Sequence, residues 1–288
     1  MIEIFIFTQM YRKMTNVFSG NDLEILIATQ NRDNLDFLAL MFPFEHFSNY
    51  NIVVINQSAE NHLTSNFENL RVINVNEKGL SKSRNLAIKN ASKKICLIAD
   101  DDVVYFPNFD TEIIKAFNEN PWASIITFNH QRIGKNTPHN KSKTVYSHSK
   151  KTIENVCSIE IAFQIKDIKE NNLIFDENFG LGSRFETAEE YLFLKDAIVL
   201  KLGVLFCPSV IVSHPLLTSG DKQGNDAILF ARGALFFKTR ANLAYIWLLK
   251  YVFFLIRYKY IRWNESKRKY KIGLQGIQKC KELVKLKQ

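Results

Sequence analysis

The sequence predicts an α/β fold with a mainly parallel central sheet. Three observations predict it. Short apolar runs alternate with helical patterns along the first half of the chain. Polar residues gather directly behind those runs. The length, 288 residues, suits one large domain, or one domain with a helical appendage, and can bury a sizeable core without staples.

The elements follow in order. Glu24 to Ala28 (EILIA) reads as a buried strand, followed by Thr29, Asn31 and Arg32. An amphipathic stretch from Asn34 to Phe42 leads to a second strand, Ile52 to Ile55, with Asn56, Gln57 and Ser58 behind it. Arg71 to Val75 is the third strand, Ser83 to Ala91 a helix, and Ile95 to Ala99 the fourth strand, which runs into Asp100, Asp101 and Asp102. His130 to Lys151 is polar and reads as a mobile loop. Cys157 to Gln164 reads as a further strand, Glu189 to Leu202 as a helix closed by Gly203, and Val204 to Val212 as a last strand ending near His214. In such sheets ligands bind at the carboxyl ends of the strands, so the polar residues behind each strand are the candidate site.

Composition narrows the classes. The four cysteines, Cys96, Cys157, Cys207 and Cys280, lie far apart with no CxxC pair. That pattern disfavours a zinc site or a disulfide framework and fits a reducing, cytosolic compartment. Met1 to Phe7 has no basic region and no small-residue cleavage site, so no signal peptide is expected; the stretch up to Asp22 reads as a short extra arm. The net charge of +9 is unevenly placed. From Lys250 onward there are twelve basic and two acidic residues, so the rest of the chain is close to neutral. A basic tail of this kind meets an acidic surface, anionic lipid or nucleic acid.

Three consecutive aspartates after an apolar strand repel one another where burial is partial. A hard divalent cation relieves that cost, and Asp100-x-Asp102 is a spacing that suits one. From the residues alone a solvated acidic turn fits equally well. Gly79-Leu80-Ser81-Lys82-Ser83-Arg84-Asn85 opens the preceding helix with two hydroxyls and two cations. A helix N-terminus with such neighbours is an anion site, although an ordinary cap at Ser81 or Ser83 would use the same residues.

The block GLSKSRNLAIKNASKKICLIADDDV resembles that of the family 2 glycosyltransferases, bacterial polysaccharide type, whose fold is GT-A. The resemblance extends from about Glu24 to about His214. It implies that Asp100 and Asp102 match the aspartates that contact ribose and the metal–diphosphate, and that Thr29 and Arg84 lie at the nucleotide. The later block Phe179-Gly180-Leu181-Gly182 through Ala188-Glu189-Glu190 resembles the acceptor-side region, where an acidic pair supplies the base. His214 matches a histidine that can join the metal shell. Two positions depart from the pattern. Ile55 or Asn56 stands where many members carry an aspartate for uracil, and Glu189-Glu190 replaces the more usual Glu-Asp.

The expected nucleotide-sugar set is therefore Thr29, Asn31, Arg32, Asn56, Arg84, Asp100 and Asp101. Asp102 and His214 are the expected holders of Mn2+ or Mg2+, and Glu190, or else Glu189, the expected base. The resemblance implies an inverting, hexosyltransferase-like enzyme using a UDP-linked sugar and a saccharide or lipid-linked acceptor, in cell-surface polysaccharide or glycan synthesis. The rivals are a metal-dependent nucleotidyltransferase acting on sugar phosphates and an inactive nucleotide-sugar binding protein. Against the first, Thr29 to Arg32 contains no glycine; against the second, the acids are retained.

The expected division is a catalytic domain over 1–218 and a helical, basic segment over 219–288. Within the latter, Leu243 to Ile256 (LAYIWLLKYVFFLI) spans about 21 Å as a helix, short of a bilayer core of about 30 Å. With Trp247, Tyr251, Tyr258, Tyr260 and Trp263 around it, it reads as a helix lying on an anionic membrane at the inner face of the cell, with no nucleic-acid partner. Packing on the catalytic core or on another subunit is the competing account. Arg232 could meet a phosphate or lie along a helix. His139 and His148 carry no expected metal role.

Overall fold

The structure is a computed structural model that describes residues 17–60, 62–134, 137–214 and 223–286. The expected arm at 1–16 lies outside them, as does the stretch 215–222 after His214. Strands β1 (Leu23–Gln30), β2 (Asn51–Gln57), β3 (Leu70–Val75) and β4 (Ile95–Asp100) form a parallel block in the order β3-β2-β1-β4. Next to β4 comes β8 (Ile161–Gln164), antiparallel to both its neighbours, then β6 (Ile125–Arg132) and β9 (Val204–His214), parallel to each other. Two short strands, β5 (Val104–Tyr105) and β7 (Tyr146–Ser147), pair antiparallel with β9. Helices α1 (Asp36–Met41), α2 (Leu80–Asn90), α3 (Phe109–Glu119), α4 (Ile165–Glu170) and α5 (Glu189–Val199) are interleaved with these strands. The tail is helical: α6 (Asp226–Arg240), α7 (Ala244–Arg257) and α8 (Ser266–Lys285).

Strands β1, β2 and β4 are mostly apolar because both of their faces are covered. Along β1, Ile25 and Ile27 point into one cluster with Phe37, Leu38, Phe109, Ile113 and Phe117 from α1 and α3. Leu26 points the other way, into a cluster with Ala87 and Ile88 of α2 and Phe193 and Leu194 of α5. Glu24 is buried within this strand. Its carboxylate accepts from Arg71 Nη2 (2.7 Å), Ser92 N (2.7 Å) and Ser92 Oγ (3.0 Å), which ties β1, β3 and the α2–β4 turn together.

Several elements differ from expectation. The described end of the expected arm, residues 17–22, packs on the domain: Phe18 is buried against Phe117 and exchanges two hydrogen bonds with Asn118. The stretch His130 to Lys151 is only partly loop. Its first residues complete β6, and Tyr146–Ser147 pairs with β9. His148 is enclosed there between Thr127 (2.7 Å) and Thr152 (3.0 Å), and burial pushes its pKa down to about 4. The segment from Cys157 begins with a 3-10 turn, Ser158–Glu160, before β8 starts. Helix α5 ends at Val199, and the left-handed residue behind it is Lys201, not Gly203. Gly203 serves a different need, since a Cβ there would stand 2.8 Å from the Trp122 ring.

The chain divides into two compact units. One comprises 1–78, 82–175 and 190–216; the other comprises 79–81, 176–189 and 217–288. In the second, α6 and α8 meet backbone to backbone. A Cβ on Gly233 would overlap the Gly273 carbonyl, and one on Gly276 would overlap the Phe230 carbonyl. Arg232 lies over the Tyr251 ring at 5.9 Å, in keeping with a helix-flanking role. Gly276→Ala is expected to destabilise the helical unit by about 3 kcal/mol, read by urea denaturation, because neither backbone can yield to the added methyl.

Candidate active site

The carboxyl ends of β1, β2, β4 and β9 carry the polar residues. The register across the sheet sets Ala28 beside Asp100, Thr29 beside Asn56, and Arg132 beside His214. Asn31 takes a left-handed conformation (φ 56°) and donates its amide to Gln57 O at 3.3 Å, which turns the chain sharply out of β1.

Each of the three aspartates takes partners from a different element. Asp101 accepts from Thr29 Oγ1 (2.5 Å) and Arg32 Nε (2.8 Å), so it fastens the turn after β1. Asp100 accepts from Arg84 Nη2 at 2.9 Å. Asp102 lies 3.7 Å from His214 Nε2, at the end of β9. Burial pushes the Asp102 carboxyl above its ordinary range; His214 opposes the shift, while Asp100 and Asp101 add to it.

Arg84 is 1% exposed. Its guanidinium also donates to Ser158 Oγ (2.8 Å) and lies 5.6 Å from the Phe175 ring centroid. In this position it holds Asp100 in place from beneath. Asn56 is fully buried as well. Its carboxamide oxygen accepts from Arg32 N (3.4 Å), and its NH2 donates to Arg32 O (3.4 Å) and Asn74 Oδ1 (3.0 Å), so it organises the turn that carries Arg32.

The acidic pair begins α5. Ala188, the residue before it, is held at φ 71°, an unusual conformation for a side-chain-bearing residue. Glu189 is buried, with its carboxyl carbon against Gly180; a Cβ on Gly180 would meet it at 3.3 Å and Ser81 Oγ at 3.0 Å. Ser81 in turn donates to Phe179 O at 2.6 Å. Glu190 is only partly buried.

A third group was missed from the sequence: His130, Cys157 and Glu160, whose potential ligand atoms all lie within 4.8 Å of one another. His130 Nδ1 is 2.8 Å from Glu160 Oε1, and Glu160 Oε2 accepts from Cys157 N at 2.9 Å. The Cys157 thiol is pushed well above its usual range by burial, then by the carboxylates of Glu160, Glu190 and Asp100. The available signal was Glu160 itself, a lone carboxylate in the apolar run CSIEIAFQ.

Two donor sets could therefore hold a cation. Asp102 and His214 offer a carboxylate oxygen and an imidazole nitrogen at a separation compatible with two bonds of about 2.1 Å to one ion, and the crowded carboxylates supply an excess of negative charge. The His130–Cys157–Glu160 group has ligand types that suit zinc, but its carboxylate oxygens are already engaged in hydrogen bonds. A hard divalent cation fits the first set better.

The sequence model of Glycosyl transferase family 2 matches residues 24–178. The chain belongs to this family. No curated protein matches it. Among solved structures it is similar to S. aureus TarS 1-349 (TM-score 0.56, 14% identity, 89% of this chain and 80% of that one). It is equally similar to the same TarS fragment in complex with UDP (TM-score 0.56, 14% identity, 89% and 81%). The fragment in complex with UDP-GlcNAc matches with TM-score 0.54 and 12% identity over 88% and 79%. The mixed α/β fold, its mostly parallel sheet and its C-terminal helices accord with the GT-A-like fold expected from the sequence.

Two predictions follow from this electrostatic arrangement. The folded-state pKa of Asp102 lies above its ordinary 3.8, so its ionised form costs stability at neutral pH, and the cost fades as pH falls towards 3.8. Asp102→Asn is therefore expected to raise Tm at pH 7, with the gain shrinking in acid, as read by thermal melts across pH. Arg84→Ala leaves Asp100 without its buried partner and is expected to cost about 3–5 kcal/mol in guanidinium denaturation.

Proposed function

We propose that this chain moves a sugar from a UDP-linked donor to a hydroxyl of a saccharide or lipid-linked saccharide, with inversion at the anomeric carbon. The role is cell-surface polysaccharide or glycan synthesis at the inner face of the cell membrane. The observation that carries the reading is the run of three aspartates at the end of β4, partnered respectively by Arg84, by Thr29 and Arg32 of the β1 turn, and by His214 at the end of β9. The TarS fragment complexed with UDP and with UDP-GlcNAc supports a UDP-linked donor.

Asp100, steadied by Arg84, accepts from the ribose hydroxyls. Thr29, Asn31, Arg32 and Asp101 shape the wall against the nucleoside, and Asn56 keeps that wall in place. Asp102 and His214 would hold Mn2+ or Mg2+, which when bound neutralises charge on the diphosphate. The acceptor oxygen forms its bond to the anomeric carbon as the bond from that carbon to the diphosphate oxygen breaks. The acceptor proton passes to Glu190, and the electron pair leaves with UDP. Positive dipole at the start of α2 favours the departing charge.

A panel of nucleotide sugars with manganese, UDP-GlcNAc first, scored for released nucleoside diphosphate, tests this reading. Release of pyrophosphate would identify the nucleotidyltransferase instead. Binding without turnover across donors and acceptors would support a binding protein. Glu190→Gln is expected to keep donor affinity and lower turnover by about 100-fold or more. Full activity in Glu190→Gln combined with loss in Glu189→Gln would move the base to Glu189.

A further inference from the structure

No described helix is long and apolar enough to cross a membrane. Helix α7 nevertheless has an apolar outer face. Its buried stripe is Ala244, Leu248, Val252 and Leu255, which packs into a cluster with Leu229 and Phe236 of α6 and Ile277 of α8. That stripe accounts for the folding role of α7, and on a water-exposed helix the opposite side should be polar. Instead Ile246, Leu249 and Phe253 stand 54%, 60% and 60% exposed. Lys250 and Arg257, seven residues apart, rise from the same outer side.

The flanks continue the pattern. Trp247 is bracketed by the Arg240 guanidinium (4.0 Å) and the Lys250 ammonium (5.0 Å). Phe254 stacks on Tyr251 and Tyr260 and lies tilted against Tyr258, and Trp263 follows, 71% exposed, beside Arg262. Between Ala244 and Asn264 there is no acidic residue. Apolar side chains ringed by cations and ring-edge polar groups match the boundary between headgroups and acyl chains.

We propose that the outer face of α7, with the aromatic turn behind it, docks on an anionic lipid bilayer. A second copy of the chain is a poorer occupant. Pairing this face with itself would set Lys250 and Arg257 against the same cations with no carboxylate between them. The inference rests on the membrane location in the proposed function and not on the transfer reaction.

The test is co-sedimentation of the full chain with vesicles of phosphatidylcholine, alone or mixed in equal parts with phosphatidylglycerol. Cutting inside the helical unit would strip α8 from α6, so surface substitutions are the suitable variants. The wild type is expected to pellet with the mixed vesicles, less strongly at high salt, and weakly with phosphatidylcholine alone. Ile246→Glu/Phe253→Glu should weaken binding by more than about tenfold per residue. Lys250→Gln/Arg257→Gln, which leaves the buried stripe alone, should weaken it by about fivefold per lost cation. UDP affinity with manganese should be unchanged in both. A wild type that stays in the supernatant would overturn the proposal, as would a glutamate variant that pellets as before. So would a glutamate variant that splits an oligomer without altering vesicle binding, which would make the face a subunit contact. Loss of UDP affinity in every form, wild type included, would count against the transfer reading alone and leave the lipid result standing.

Discussion

Everything at the end of the sheet depends on keeping three adjacent carboxylates together. Backbone connectivity places Asp100, Asp101 and Asp102 side by side, where their mutual repulsion and partial burial oppose folding. The protein answers by giving each one its own partner on a separate element. Asp101 takes the hydroxyl and guanidinium of the β1 turn, Asp100 the guanidinium beneath it, and Asp102 the imidazole of β9. Asp102, 3.7 Å from its imidazole partner, has the loosest pairing of the three, which is where an external cation has most to gain.

Around that centre lie further polar side chains, buried or half-buried. Asn56, Asn74, Ser158, His130 and Glu160 are linked by hydrogen bonds to residues that line the site or to one another. Buried polar groups of this kind are costly unless fully paired. Their pairing fixes the side chains they touch.

Strands β1, β2 and β4 were legible in the sequence because burial on both faces makes them near-continuous apolar runs, and because polar residues follow them without a gap. Strand β6 was not legible. Its end, His130 to Arg132, reads as loop, yet His130 is buried and paired with Glu160. The 3-10 turn before β8 was hidden for a related reason, since it depends on Glu160 capping the Cys157 amide. Among the site residues, the strand-end cluster could be read from position. The inward roles of Arg84 and Asn56 could not, because they are set by contacts made only once the chain is folded. Gly203 misled as a helix stop; its lack of a side chain answers to Trp122.

The glycine contact between α6 and α8 has a mechanical consequence. Carbonyl oxygens occupy the space that side chains would need at Gly233 and Gly276. Sliding α8 by three residues along α6 would bring Gly276 to the place of Gly273, but would drive Lys279 into the place of Gly276. A full turn, about 5.4 Å, fares no better, since Cys280 would follow. The two helices are thus keyed in a single register, and α7, clasped against both, is left one way of facing outward.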